Sequence, residues 1–273
     1  MRFSGFGGAY EGSSFGELLE IDHPQLRIAW SQLLQGPAPI SAPHGTTVLA
    51  FKYSQGVIVA GDRLATEGYR VASRDVQKVY ATDAHSMIAI AGAAGPAIEM
   101  ARLMRIELEH YEKIEGEGLE LDGKANKLSQ MVRANLPAAM QGLVVVPLFA
   151  GYDLRRRQGR IWKFDVTGGR YEEAEFEATG SGGLYARESL KKLHRVEAGK
   201  PEALEIAVQA LQNAADEDRG TGGVDTVRRI FPTLIFCSQS GIEAAREEEI
   251  QAAFQRTVST RSPGRSDRGG TSA

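Results

Sequence analysis

A hydroxyl nucleophile needs a base, and this sequence offers one that requires no histidine. Gly45–Thr46 marks the boundary between two stretches of different composition. A cut between these residues would give Thr46 a free α-amino group, whose reference pKa of about 7.7–8.0 suits general base catalysis near neutral pH. Because Gly45 has no Cβ, the Thr46 hydroxyl can approach the preceding carbonyl group. The sequence therefore predicts self-cleavage between Gly45 and Thr46.

Two charged residues downstream support this prediction, since a Gly-Thr pair alone is typical of a turn before a strand. Asp62 closes the second predicted strand, and Lys78 stands between apolar neighbours in VQKVY. A surface lysine whose ammonium reaches solvent would also explain Lys78. A buried ammonium paired with Asp62 would instead lower the pKa of the Thr46 hydroxyl and amine, and so favour proton transfer.

Hydrophobic periodicity predicts the elements that must position these residues. The predicted strands are TTVLAFKY, GVIVAGD, VQKVYATD, SMIAIAG, LVVVPLFAGYD, RIWKFDV, RYEEA, EFEATGS and RRIFPTLIFCS. The predicted helices cover residues 95–111, 123–140, 184–194, 201–218 and 243–254. Strands cluster between pairs of helices, which argues against a doubly wound parallel sheet. We therefore predict an α+β fold in which two mostly antiparallel sheets pack together with helix pairs outside them, a four-layer αββα sandwich.

Composition divides the chain into three parts. Residues 1–45 are rich in Gly, Ser and Pro and contain one amphipathic patch at Leu26–Leu34, which predicts a flexible leader with room for one short helix. Residues 46–258 carry the predicted strands and helices and form the expected folded domain. Residues 259–273 lack apolar side chains apart from the final Ala, so we predict a disordered tail.

Charge and residue usage narrow the function classes. The net charge of −3 gives no basic field for nucleic acid, and the five histidines lack metal-ligand spacing. The N-terminus does not read as a secretory signal, and no segment has the roughly 20 apolar residues of a membrane span. Cys237 is the single cysteine, lies in the apolar run FPTLIFC and is predicted to be a core residue. We expect a cytoplasmic protein without metal or cofactor, not bound to nucleic acid or membrane.

Thr46 together with Asp62 and Lys78 resembles the catalytic β-subunit of the 20S proteasome. TTVLAFKYSQGVIVAGDRLAT is similar to the opening hairpin of that family, SMIAIAGAAGPA to its oxyanion segment, ATGSGG to its Gly-Ser-Gly loop, and DEDRGTGGVD to its Asp-x-x-Thr/Ser-Gly-Gly loop. MVRANLPAAMQG and ELEHYEK resemble the actinobacterial type, which is made with a long leader. The resemblance covers about residues 46–254 and implies the N-terminal-nucleophile (Ntn) hydrolase fold.

The resemblance also implies roles for residues that local pattern alone leaves open. Gly180–Ser181–Gly182 by itself is typical of a tight turn, and Asp218 of a helix end. In the family pattern, Gly92 would donate its N–H to the oxyanion, and Ser181, Asp218 and Thr221 would support Thr46. The residues expected to meet the substrate are Thr66 and, around its P1 side chain, Ala65, Val76, Ile90, Ala94 and Ile98. Because the P1 residues are small or apolar, cleavage after large hydrophobic residues is expected.

The activity implied is that of a threonine-type endopeptidase inside an α7β7β7α7 barrel. Its expected partners are rings of α-subunits, other β-subunits and a ring ATPase that delivers tagged proteins, the tag being a ubiquitin-like modifier. Three alternatives stay open at this point: a structural ring subunit without activity, an Ntn amidase acting on small amides, and a binding domain that performs no chemistry. The last of these predicts an intact N-terminus.

Overall fold

A computed structural model describes residue 15, residues 45–67 and residues 70–261; the leader patch Leu26–Leu34 lies outside these ranges. The strands are β1 (Thr47–Tyr53), β2 (Gly56–Gly61), β3 (Ala65–Glu67), β4 (Arg70–Ser73), β5 (Val79–Ala81), β6 (Ser86–Gly92), β7 (Val145–Asp153), β8 (Gln158–Phe164), β9 (Arg170–Glu173), β10 (Phe176–Gly180), β11 (Thr233–Ser238) and β12 (Gly241–Ala244). The helices are α1 (Ala94–Glu115), α2 (Leu121–Ala134), α3 (Leu136–Ala139), α4 (Gly183–Leu193), α5 (Lys200–Glu217) and α6 (Glu247–Arg261).

Two five-stranded sheets organise the part of the chain that the structure describes. The first has the order β10-β1-β2-β11-β12, and the second the order β5-β6-β7-β8-β9. Neighbouring strands in both sheets are antiparallel. Five of the eight neighbouring pairs are joined by short turns, whereas α1, α2 and α3 lie between β6 and β7. β3 and β4 form a small separate hairpin that the sequence pattern did not predict.

The alternation of side chains along β1 places this strand between two cores. Leu49 and Phe51 pack with residues of α4, α5 and α6, while Val48 and Ala50 pack between the two sheets. On the other side, α1 and α2 cover the second sheet through a core that includes Trp162. The layer order is therefore helices, sheet, sheet, helices, and the predicted αββα sandwich is confirmed.

The helix predicted over residues 123–140 is two helices. α2 ends at Ala134, and the short α3 begins at Leu136 with Pro137 in its first turn. Proline lacks an N–H and clashes with the preceding turn of a helix interior, but it fits at a helix start. The helix predicted over residues 95–111 is longer than expected: α1 runs to Glu115 and ends at Gly116, which adopts φ 80°.

The C-terminal elements also differ from the prediction. β11 begins only at Thr233, because Pro232 cannot donate to a sheet, and the preceding residues form a turn closed by a bridge between Asp225 and Ile230. Residues 243 and 244, predicted as helical, belong to β12, which pairs with β11 after a turn at Gly241. α6 then runs to Arg261, three residues into the predicted tail, and residues 262–273 lie outside the described ranges.

Cys237 lies in the core between the sheets, as predicted, and its reactivity can be tested. Its side chain is fully buried, and burial raises the pKa of the thiol to about 12. Since the thiolate is the reactive form, we expect iodoacetamide at mildly alkaline pH to leave the native protein unmodified and to alkylate it fully once it is unfolded in urea. Intact mass measures both. Equal rates in the two states would contradict the burial of this thiol.

Candidate active site

Thr46 directly precedes β1, where strand pairing fixes its backbone. Thr47 pairs with Gly180 of β10, and the N–H of Ser181 donates to Thr46 O at 2.8 Å. The Thr46 side chain is almost enclosed, and its hydroxyl donates to Gly45 O at 2.6 Å. The predicted nucleophile is therefore in contact with the peptide group that it is predicted to attack.

Gly45 is buried at a point where no side chain fits. A Cβ at this position would overlap Thr66 Oγ1 and would lie 2.8 Å from Gly220 O. Thr66 and the loop around Gly220 thus close on the candidate cleavage point from two sides. In the sequence, a residue without Cβ is expected here so that the Thr46 hydroxyl can approach the Gly45 carbonyl, and the structure adds a requirement for space.

Replacing Gly45 with alanine tests this requirement. The added methyl group must displace either Thr66 or the backbone at Gly220, and a shift of about 1 Å in a reacting group can cost about 100-fold in rate. We expect Gly45→Ala to slow loss of the leader by about that factor, as measured by intact mass over time. Gly118→Ala is the matched control, because a Cβ there meets no atom within 4 Å. Similar rates for the two variants would contradict the prediction.

Lys78 is a buried ammonium paired with Asp62, and the surface interpretation of this lysine is wrong. Its Nζ lies 2.6 Å from Asp62 Oδ1, and the two side chains are 3% and 0% exposed. Nζ also donates to Leu64 O at 2.5 Å and to Gly45 O at 3.4 Å. Three oxygen acceptors match the three N–H groups of an ammonium. One of these acceptors is the carbonyl of the peptide group next to Thr46.

Burial and pairing act on Lys78 in opposite directions. Burial is the larger influence and lowers the pKa of Lys78, while the charge of Asp62 and its hydrogen bond act to raise that pKa. Lys78 was predicted to lie within the third strand, but β5 begins one residue later, at Val79. Just before Lys78, the N–H of Val76 donates to Arg63 O, while Lys78 O accepts the N–H of Ile90 in β6.

Asp62 joins four segments of the chain. Its Oδ1 accepts the N–H of Thr47 at 2.7 Å as well as the ammonium of Lys78. Its Oδ2 accepts the N–H groups of Leu64 at 3.0 Å and Gly222 at 2.8 Å. A carboxylate with four donors is held in one orientation, and it balances the charge of the buried ammonium.

Ser181, Asp218 and Thr221 form the second polar group beside Thr46. The hydroxyls of Ser181 and Thr221 both donate to Asp218 Oδ2 at 2.6 Å, and Ser181 Oγ accepts the Thr46 N–H at 3.3 Å. Burial is the largest single influence and acts to raise the pKa of Asp218, but these hydrogen bonds and that of Gly220 together hold the pKa below its usual value. The three residues assigned through the family pattern are thus in mutual contact.

Thr47 was not predicted from the sequence, and it links the Lys78–Asp62 pair to the group formed by Ser181, Asp218 and Thr221. Its N–H donates to Asp62, its hydroxyl lies 2.6 Å from Thr221 Oγ1, and it accepts the N–H of Gly182 at 2.9 Å. The side chain is fully buried at the start of a strand. A buried hydroxyl must find partners, so a polar residue directly after the candidate nucleophile is a signal that could have identified it.

Gly92 lies at the end of β6, facing the same pocket as Thr46. Its φ is 118°, in the region that favours glycine, and a Cβ would overlap Val144 O. The family pattern requires only the N–H of Gly92. In the structure, the positive φ of this residue and the nearby carbonyl of Val144, just before β7, also require a glycine.

The residues predicted to surround a P1 side chain line one pocket next to Thr46. The floor is apolar and buried at Ala65 and Ile90, and the rim includes the half-exposed Ile98. Tyr80 and Ala97 also contribute, and the sequence argument did not include them. The predicted residues in this pocket are Ala65, Val76, Ile90, Ala94 and Ile98. Thr66 instead lies against Gly45.

Among the residues that the structure describes, His, Cys, Asp and Glu side chains nowhere form a group of three or more that could hold a metal ion. None of the helices described above combines the length and apolar character needed to cross a membrane.

Comparison with known proteins identifies the family. The four-layer fold is that of the Ntn hydrolases, and a family model described as proteasome subunit matches residues 42–230. The chain therefore belongs to the proteasome subunit family.

Within this family, the chain is of the β-type found in actinobacteria, because three relatives are each named proteasome subunit beta. The protein of Acidothermus cellulolyticus is 48% identical over 91% of this chain and 87% of its own length. The protein of Streptomyces griseus is 49% identical over 87% of this chain and 84% of its own length. The protein of Stackebrandtia nassauensis is 47% identical over 91% of this chain and 91% of its own length.

Proposed function

We propose that this chain is the precursor of a threonine endopeptidase that removes residues 1–45 by itself and then uses Thr46 as its nucleophile. One observation carries the proposal: the Thr46 hydroxyl lies 2.6 Å from Gly45 O, and the Lys78 ammonium lies 3.4 Å from the same oxygen. One buried site thus contains the candidate nucleophile, the peptide group that precedes it and a cation that can polarise the carbonyl of that group.

Self-cleavage would begin with attack of Thr46 Oγ on the Gly45 carbonyl carbon. The new C–O bond forms as the C–N bond breaks, and the departing nitrogen takes up a proton in place of the one that Oγ gives up, so that it becomes the amine of Thr46. Water then hydrolyses the ester, which releases the leader as a carboxylate and restores the hydroxyl. Lys78 supports the first step, because a cation near the carbonyl oxygen stabilises the negative charge that develops there.

In turnover, the new amine would serve as the base. It takes the hydroxyl proton directly or through a water beside Ser181, Oγ attacks a substrate carbonyl, and the Gly92 N–H stabilises the oxyanion. The amine then protonates the leaving group, and water resolves the acyl-enzyme. Lys78 would keep the pKa of the amine and of the hydroxyl low, since a positive charge disfavours a second one nearby. Asp218 and Thr221 would hold Ser181 in place.

The direct test is the N-terminus of the assembled protein. Co-expressed with the α-type subunit of its organism, the chain is expected to begin at Thr46 and to hydrolyse a fluorogenic peptide with a hydrophobic P1 residue. N-terminal sequencing and fluorescence measure the two outcomes. Assembled particles that are active and still carry the leader on every β-chain would overturn the proposal, because the proposed base would not exist.

The pocket next to Thr46 supports a preference for large hydrophobic P1 residues. Introducing a carboxylate at its rim with Ile98→Glu should lower kcat/KM for a hydrophobic P1 about tenfold and raise it for arginine. Ile114→Glu is the matched control, because Ile114 is another exposed isoleucine of α1, 45% against 47% exposed. A wild-type profile dominated by acidic or basic P1 residues would contradict the preference.

The names of the relatives support assembly into a proteasome core with α-subunits. We extend this to an α7β7β7α7 barrel in the cytoplasm that degrades proteins delivered by a ring ATPase, including proteins carrying a ubiquitin-like tag. An Ntn amidase for small amides would need no α-subunit, so the mass of the active species with and without that partner separates the two functions. A structural subunit without activity is disfavoured by the presence of Thr46, Asp62 and Lys78 in mutual proximity.

A further inference from the structure

The leader contacts the folded domain at a second place, away from the candidate cleavage point. The N–H of Phe15 donates to Glu107 Oε2 at 3.1 Å. The phenyl ring of Phe15 lies 5.9 Å from the imidazole of His110, with the ring planes tilted by 60°. Glu107 and His110 stand three residues apart on α1 and therefore share one face of this helix.

The receiving surface on α1 is a formed site. Glu107 is only 8% exposed, and its Oε2 also lies 3.1 Å from Lys127 Nζ on α2. One carboxylate oxygen thus accepts from α2 and from the leader backbone, and a hydrogen bond to an ionised acceptor is stronger than one between neutral groups. The Nε2 atom of His110 is buried without a hydrogen-bond partner among the described residues, and the imidazole lies beside the ring of Phe15.

We propose that α1 carries a docking site for the leader, centred on Glu107 and His110 and occupied by Phe15 of the same chain. The carboxylate fixes the leader backbone through one charge-assisted hydrogen bond, and the imidazole receives the phenyl ring. The hydrogen bond requires a backbone N–H and the ring contact requires an aromatic side chain, and Phe15 supplies both.

Docking and cleavage are compatible and independent. Glu107 lies 13 residues along α1 from Ala94, which lines the pocket of Thr46, and this corresponds to about 20 Å of helix. The 30 residues from Phe15 to Gly45 can span at most about 100 Å. The chain can therefore reach both places at once. After a cut at Gly45, the contact at Phe15 would hold the leader as a noncovalent ligand.

Reactivity of His110 tests the docking site in the full-length chain. Thr46→Val serves as the background, so that the leader stays attached. In this background, Phe15→Ala is expected to uncover Nε2 and to increase carbethoxylation of His110 by diethyl pyrocarbonate severalfold. Phe6→Ala, another leader phenylalanine, is the control, and His85 is the internal reference for the reagent. Equal rates at His110 in the two variants would overturn the proposal.

A photo-crosslink gives a second readout that does not depend on removing a side chain. Benzoyl-phenylalanine at position 15 should attach to the α1 peptide that contains Glu107 and His110, and Glu107→Gln should reduce the yield. Crosslinks that map to other elements would count against the site. Intact mass verifies in both readouts that the leader is attached, so failure of the proposed function and failure of the docking site can be told apart.

Discussion

Replacing Thr46 with valine is expected to leave the leader in place and to abolish peptide hydrolysis. Valine keeps the shape of threonine and removes only the hydroxyl, which contacts Gly45 O in the uncut chain. Removal of a covalent nucleophile costs a hydrolase on the order of 10⁶-fold in kcat. Intact mass reports the leader, and a fluorogenic peptide with hydrophobic P1 reports the activity of particles assembled with the α-type subunit.

Two controls separate the nucleophile from its surroundings. Thr46→Ser retains a hydroxyl and should still lose the leader. Thr47→Val removes the hydroxyl that lies 2.6 Å from Thr221 Oγ1 and should slow the cut without preventing it, because Thr46 itself is unchanged. A Thr46→Val chain that still begins at residue 46 and cleaves peptides would exclude Thr46 as the nucleophile.

Lys78→Met is expected to impair both chemistry and stability. It removes the cation 3.4 Å from Gly45 O, and loss of a group that assists proton transfer costs about 10²–10⁴-fold in rate. It also leaves Asp62 buried without its counter-charge, and removing one partner of a buried ion pair typically costs about 3–5 kcal/mol. Leader loss followed by mass and urea unfolding followed by circular dichroism measure the two effects.

The two effects of Lys78 can be separated by variants that this chain offers. In Lys78→Met with Asp62→Asn, no buried charge remains unpaired, so part of the stability should return while the leader stays attached. Lys124→Met removes the cation of another largely buried pair, in which Lys124 Nζ lies 2.6 Å from Asp83 Oδ2. It should lower stability and leave self-cleavage intact. If Lys124→Met blocked the cut as strongly as Lys78→Met, the effect would be one of folding rather than of chemistry.

The candidate reacting residues stand out in the sequence through their context. Lys78 is a charge in the largely apolar stretch VQKVY, and Gly45–Thr46 is a small residue and a hydroxyl at a change of composition. The layered fold could be predicted because strands with alternating side chains cluster between amphipathic helices. The roles of Ser181, Asp218 and Thr221 came from the family resemblance, and the structure places these side chains in contact.

Part of what the sequence did not predict depends on contacts between distant segments, and part depends on local effects. Thr47 and Thr221 are 174 residues apart, and their hydroxyls meet only once both sheets and α5 are in place. β12 pairs with β11 across a turn, and the short sequence GIEA of β12 does not indicate this pairing. The division between α2 and α3 follows from one proline, whose effect depends on whether it lies within a helix or at its start.

The four donors of Asp62 have a consequence for timing. The Gly222 N–H that binds this carboxylate lies 160 residues further along the chain, so the carboxylate reaches its final orientation late in synthesis and folding. A nascent chain that has made only the first hairpin holds Thr46 but lacks the loop that closes over Gly45. In the proposed self-cleavage, premature scission on the ribosome would thus be disfavoured by the long sequence separation of these contacts.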